Sequence, residues 1–160
     1  MVQQNFLWGH EKRYNDFPSY FKKKFAERVQ KVSIDAGFTC PNRDGTKGKG
    51  GCTYCNNKTF KPTYCNLENS VTSQIQQGVD FFAKKYHAMK FLAYFQAFTN
   101  TYAPLENLKL LYEEALRHPK IVGLVISTRP DSVDEKLLDY LAELSKKVYV
   151  MVEFGLESHL

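Results

Sequence analysis

Hydrophobic and polar residues alternate along the chain with two different periods. Four short apolar or alternating runs are typical of strands, at residues 29–34, 91–98, 121–127 and 148–154. Apolar residues between these runs recur three and four positions apart, which predicts helices at 72–86, 104–118 and 133–146. In the last helix, one predicted inward face carries four leucines: Leu137, Leu138, Leu141 and Leu144.

The alternation of strands and helices predicts an α/β fold. Strands separated by helices of this length form βαβ units, and such units build a parallel sheet. The nearly continuous apolar runs at 121–127 and 148–154 suit strands that are buried on both faces. Four strands do not close an eight-stranded barrel, and the chain stops where the pattern requires a helix. We therefore expect a fragment, truncated after the fourth strand.

An aromatic and basic segment, residues 1–30, precedes the predicted core at 31–160. Four aromatic residues in this extension fall near helical spacing: Phe17, Tyr20, Phe21 and Phe25. They predict a short amphipathic helix that covers part of the core. Three neighbouring lysines, at positions 22–24, leave a nucleic-acid-binding patch as the alternative.

Composition and charge narrow the class of protein. Hydrophobic residues make up 43% and charged residues 24% of the chain, as in ordinary globular proteins. No apolar run approaches the roughly 18 residues of a membrane span, and residues 1–10 lack a signal peptide, so a cytoplasmic protein without a membrane partner is predicted. The formal net charge of +5 permits an anionic partner such as a nucleotide or RNA, but solvated lysines explain it equally well.

The candidate chemistry lies in a glycine-rich loop after the first strand. Three of its residues, Cys40, Cys52 and Cys55, combine with Cys65 in the spacing C-x11-C-x2-C-x9-C. A C-x2-C turn can bind one metal centre, and Cys40 can add a third thiolate, which in an iron–sulfur cluster leaves one iron open. All four cysteines together can instead form a tetrahedral zinc site. The spacing alone leaves both possibilities open.

Two strings of the loop carry a resemblance to a known family. Residues 37–46 read GFTCPNRDGT and residues 50–56 read GGCTYCN. They resemble bacterial radical S-adenosylmethionine proteins of the YhcC/YtqA type, which are related to the radical domain of the Elongator catalytic subunit. The resemblance extends roughly from residue 14 to the end, and the eleven residues between the first two cysteines match this subfamily rather than the commoner C-x3-C-x2-C.

The resemblance implies a fold and two cofactors. The fold is a partial (β/α) barrel of the radical S-adenosylmethionine type, with the cysteine loop after the first strand. Cys40, Cys52 and Cys55 are implied to bind a [4Fe–4S] cluster, and S-adenosyl-L-methionine lies across the carboxyl ends of the strands. Cys65 falls outside this motif, and a buried structural thiol is its simplest interpretation.

The resemblance also implies S-adenosylmethionine contacts outside the cysteines. Tyr54 corresponds to the aromatic residue beside the adenine, and Thr128 and Arg129 belong to a TRPD string that can meet a ribose or a carboxylate. Glu157 replaces the glutamine with which relatives contact polar groups of the cofactor, and Gln96 is the best substitute for a missing Gly-Gly-Glu string. Their alternative roles are loop packing, strand-end capping and a satisfied core amide.

The implied activity is radical enzymology with an unidentified substrate. Reductive cleavage of S-adenosylmethionine gives a 5′-deoxyadenosyl radical, and an electron donor of the flavodoxin or ferredoxin type is expected. RNA is a candidate substrate, because four lysines surround the cysteine loop: Lys47, Lys49, Lys58 and Lys61. The alternative is a four-cysteine zinc module that binds nucleic acid or a protein and catalyses nothing.

Overall fold

A four-stranded parallel sheet forms the centre of the protein. The computed structural model describes residues 6–56, 59, 61–86 and 89–155. The strands lie in chain order, and each pairs with the next in parallel. They are β1 (Arg28–Ile34), β2 (Met89–Phe95), β3 (Ile121–Thr128) and β4 (Tyr149–Phe154). The predicted α/β class with a parallel sheet is confirmed.

Three of the four described α-helices begin at residues whose side chains cap them. They are α1 (Phe17–Phe25), α2 (Val71–Ala83), α3 (Leu105–Leu116) and α4 (Glu135–Ser145), with a 3-10 turn at Pro130–Ser132. Asp16, Ser70 and Asp134 accept backbone N–H groups at the starts of α1, α2 and α4. The longest of these helices has 13 residues, so none described here has the length to cross a bilayer.

The two faces of the sheet bury separate hydrophobic clusters. On one face, α2, α3 and α4 pack against the sheet with buried residues that include Ile75, Tyr112 and Leu137. On the other face lies α1, whose Phe21 is 1% exposed and packs with Leu92 and Val125. Burial of one such phenylalanine contributes about 2 kcal/mol. The N-terminal aromatic helix therefore covers part of the core, as its spacing predicts.

Strands β3 and β4 approach each other closely at one glycine. Gly123 pairs with Tyr149, and a Cβ atom built on Gly123 would lie 2.7 Å from the Tyr149 Cβ and 2.8 Å from its carbonyl carbon. Real Cβ atoms essentially never make such contacts. The pairing of β3 with β4 therefore requires glycine at position 123.

Candidate functional site

A cavity of about 360 Å³ opens at the carboxyl ends of the strands, between the sheet and the cysteine loop. Parallel strands place their carboxyl ends at one edge of a sheet, which is where α/β folds bind ligands. The lining includes seven of the residues singled out in the sequence: Cys40, Cys52, Tyr54, Cys55, Gln96, Thr128 and Arg129. Glu157 lies outside the described residues. The fold thus brings together sequence positions that are almost ninety residues apart.

Backbone hydrogen bonds shape the cysteine loop. The N–H of Arg43 donates to the Cys40 carbonyl at 2.8 Å, and the N–H of Cys55 donates to the Cys52 carbonyl at 3.0 Å. Gly51 has φ of +91°, a conformation that a glycine adopts without strain, and its N–H donates to the Asn42 carbonyl at 2.9 Å. These turns direct three thiols toward one cavity.

Hydrogen bonds also fasten the loop to the segment that follows β2. The N–H of Thr99 donates to the Thr39 carbonyl at 3.2 Å, and the hydroxyls of Thr46 and Tyr102 lie 2.9 Å apart. β2 ends at Phe95, so the predicted strand 91–98 extends three residues too far. Gln96 lies just beyond the strand and not on it. Gln96 therefore lines the cavity from the segment directly after β2.

An ionic network fastens the loop to the end of β3. Arg129 donates to both carboxylate oxygens of Asp131, at 2.8 and 2.7 Å, and Lys47 forms an ion pair with the same carboxylate. The hydrogen bond from Arg129, helped by Lys47, holds the pKa of Asp131 well below its usual range. The bond to Asp131 and the neighbouring Cys40 raise the pKa of Arg129, so its guanidinium stays charged.

The cavity also contains a residue in an unusual backbone conformation. Phe98 has φ of +64°, which is rare for a bulky side chain, and the Arg43 guanidinium lies 5.0 Å from the centre of its ring. Such conformations cost on the order of 1–3 kcal/mol and cluster at binding sites. The sequence does not identify Phe98 as a site residue, because its backbone conformation arises only where the segment after β2 meets the cysteine loop.

A polar cluster extends from the cavity along the face of the sheet that α1 covers. Glu153 accepts hydrogen bonds from Lys31 at 2.5 Å, from Tyr94 at 2.9 Å and from Ser127 at 3.2 Å. Burial of Glu153 favours its neutral form, but these bonds outweigh burial and hold its pKa below the ordinary value. Glu153 is the one charged residue in the otherwise apolar strand β4, but the sequence gives no sign that Lys31 is its partner.

The Glu153 cluster predicts a loss of stability in acid. Because its pKa is lower in the folded state, Glu153 stabilises the fold above about pH 4.3 and loses that contribution as the pH falls through the folded-state value. Glu153→Gln is expected to lower the free energy of unfolding at pH 7 by about 1 kcal/mol and to flatten its decline between about pH 5 and pH 3. Urea unfolding at a series of pH values measures this. The exposed Glu143→Gln is the matched control, and an unchanged slope in Glu153→Gln contradicts the assignment.

Three of the four cysteines line the cavity, and the fourth is buried elsewhere. Within the described ranges, no three His, Cys, Asp or Glu side chains converge tightly enough to hold one metal ion. Cys65 is buried away from the cavity, its thiol donates to the Ser33 carbonyl at 2.9 Å, and burial raises its pKa to about 11. Thiolates are the protein ligands of iron–sulfur clusters, and Cys40, Cys52 and Cys55 bring three of them to one cavity. The donor set fits the implied cluster.

Two of the four lysines around the loop are paired with carboxylates. Lys47 pairs with Asp131, Lys61 pairs with Asp35 at 2.6 Å, and Lys58 lies outside the described residues. Phosphate contacts would have to displace these carboxylates. RNA therefore stays a prediction from the sequence.

Three curated proteins of unestablished function are similar to this chain. Uncharacterized protein YtqA of Bacillus subtilis is 40% identical over 160 residues, which are 99% of this chain and 50% of YtqA. Protein YhcC of Escherichia coli K12 is 37% identical over 92% of the chain and 47% of its own length. Uncharacterized protein MJ0486 of Methanocaldococcus jannaschii is 35% identical over 87% of the chain and 42% of its own length. The chain thus spans about half the length of the curated relatives it matches.

No protein-family model matches the chain, and no solved structure is significantly similar to it. The names of these relatives state no activity, cofactor or substrate.

Proposed function

We propose that this chain is the cofactor-binding part of a radical S-adenosylmethionine enzyme. The observation that carries the proposal is the convergence of Cys40, Cys52 and Cys55 on one cavity at the carboxyl ends of a parallel sheet. The resemblance of the loop strings to that class points the same way.

The residues divide between the two cofactors. Cys40, Cys52 and Cys55 would hold a [4Fe–4S] cluster. One-electron cleavage of S-adenosylmethionine to methionine and a 5′-deoxyadenosyl radical is the chemistry that the two groups supply when bound. The electron comes from outside the chain, from a donor of the flavodoxin or ferredoxin class.

The protein's own contribution is orientation. Tyr54 is 63% exposed and lines the cavity, where an aromatic ring would stack on an adenine. Arg129 presents a guanidinium that Asp131 holds in one orientation, as recognition of a carboxylate requires. Gln96 adds an amide from the end of β2.

Thr128 has a restricted role in this arrangement. Its hydroxyl lies 2.5 Å from the Thr101 hydroxyl, which in turn donates to the Ser132 carbonyl at 2.5 Å. The proton between the two threonines must therefore come from Thr128. The Thr128 oxygen is left to accept a hydrogen bond, as from a ribose hydroxyl, but not to donate one.

Formation of 5′-deoxyadenosine tests the proposal. The full chain is reconstituted anaerobically with iron and sulfide and incubated with S-adenosylmethionine and dithionite, and the products are separated chromatographically. We expect 5′-deoxyadenosine and methionine in equal amounts, with formation reduced at least tenfold in Arg129→Ala. Arg117→Ala is the matched control, since Arg117 is exposed at the end of α3. A reconstituted chain that neither binds nor cleaves S-adenosylmethionine contradicts the proposal.

A further inference from the structure

One cysteine sulfur of the cavity accepts a side-chain hydrogen bond within the loop. The amide nitrogen of Asn42 lies 3.2 Å from the sulfur of Cys52. Asn42 is half-buried. Its backbone carbonyl accepts the N–H of Gly51, the residue directly before Cys52. The backbone bond and the side-chain bond fix the amide against the sulfur, so the contact is part of the folded loop.

A second sulfur has a cationic neighbour from a different element. Arg129 follows β3 and lines the same cavity as Cys40, so its guanidinium charge lies on the same wall as that sulfur. Two of the guanidinium N–H groups are occupied by Asp131, which leaves others to point away from that carboxylate. Arg129 thus holds a permanent positive charge beside the Cys40 sulfur.

We propose that Asn42 and Arg129 tune the reduction potential of the cluster, Asn42 through its hydrogen bond to the Cys52 sulfur and Arg129 through its positive charge on the cavity wall that carries Cys40. The inference rests on the proposed function. Reduction adds one electron from the external donor, breaks no bond and moves no proton, so the sulfurs become richer in negative charge. Donors and cations beside them stabilise that reduced state more than the oxidised one. Both residues therefore make the cluster easier to reduce, and they act as positioning residues.

A purely structural role for the two side chains makes a different prediction. If Asn42 only shapes the loop, its replacement lowers cluster content without changing the potential of the clusters that form. If Arg129 only binds S-adenosylmethionine, its replacement changes no property measured without that cofactor. The midpoint potential of the cluster in the absence of S-adenosylmethionine separates these roles.

The test is an anaerobic redox titration of the reconstituted full chain, followed by electron paramagnetic resonance of the reduced cluster. The variants are Asn42→Leu and Arg129→Met, with Asn42→Ser and Arg129→Lys retaining a donor or a charge. At the potential that half-reduces the wild type, we expect the reduced-to-oxidised ratio to fall about tenfold in each of the first two variants, a shift of about 59 mV for one electron. The conservative variants should recover much of that shift.

Each outcome bears on one of the two proposals. Unchanged potentials in Asn42→Leu and Arg129→Met, with cluster present, overturn this inference and leave the proposed function standing. A wild-type chain that binds no cluster overturns the proposed function. If one of the two variants does not fold, the other and the conservative pair decide the question. Arg117→Met, at the far end of α3, is the control that should leave the potential unchanged.

Discussion

Replacement of Cys52 by alanine is expected to abolish iron binding, whereas replacement of Cys65 leaves it intact. Cys52 lines the cavity with Cys40 and Cys55, while Cys65 lies outside it and donates to the Ser33 carbonyl. With three thiolates available, about four irons per chain should be recovered after reconstitution, with a broad absorption band in the visible blue. Cys40→Ala and Cys55→Ala should resemble Cys52→Ala, because each removes one of three ligands.

Metal analysis of the same variants decides between a cluster and a zinc site. One zinc per chain, lost in both Cys52→Ala and Cys65→Ala, would show that four thiolates hold one ion and would overturn the enzyme proposal. Cys65→Ala needs its own stability measurement, since it removes a buried thiol that is 5% exposed and leaves a small cavity. Circular dichroism of each variant ensures that loss of metal is not loss of fold.

Replacement of Gly123 by alanine is expected to lower the free energy of unfolding strongly, because it adds a methyl group where β3 and β4 are in close contact. The new Cβ would lie 2.7 Å from the Tyr149 Cβ and against the backbone of β4. Backbone atoms of a paired strand cannot move aside as a flexible side chain can, so β3 and β4 must separate locally. We expect a loss of at least about 3 kcal/mol in the free energy of unfolding. For a chain of this length, that lowers the melting temperature by roughly 10 °C.

Gly48→Ala is the matched control for this substitution. Gly48 lies in the cysteine loop, and a Cβ there would lie 3.4 Å from the Asn42 carbonyl oxygen, close to an ordinary contact. Its stability should stay within about 0.5 kcal/mol of the wild type. A Gly123→Ala chain that unfolds at the wild-type urea concentration would show that β3 and β4 are farther apart than described.

The periodicity of the sequence was enough to predict the elements, because the buried faces of strands and helices differ in period. It was less reliable for individual side chains. Leu138 shares the spacing of the inward leucines of α4, yet it is 49% exposed, whereas Leu137 and Leu141 are buried. The helix meets the sheet over a narrow stripe, and periodicity alone does not reveal how wide that stripe is.

The candidate site was only partly predictable, for a physical reason. The cysteines could be predicted as site residues from their type and spacing. Tyr54 and Arg129 were predicted from the family resemblance. Glu153 and Lys31 could not be paired in advance, because they belong to β4 and β1 and are 122 positions apart. Their ion pair crosses the intervening strands, which a long lysine side chain can do only if the sheet is curved. Curvature is a property of the whole sheet and leaves no local pattern in the sequence.

The fastening of the cysteine loop has a consequence for the order of assembly during synthesis. Lys47 meets its carboxylate partner Asp131 only 84 positions later in the chain. The N–H of Asn100 bonds to the Ser127 carbonyl and that of Gly155 to the Thr128 carbonyl, so each strand end is joined to the next. The thiols therefore leave the ribosome long before the surroundings that hold them in place exist. On the proposed function, insertion of a cluster into an ordered site has to wait for β3, and until then the loop thiols are open to oxidation.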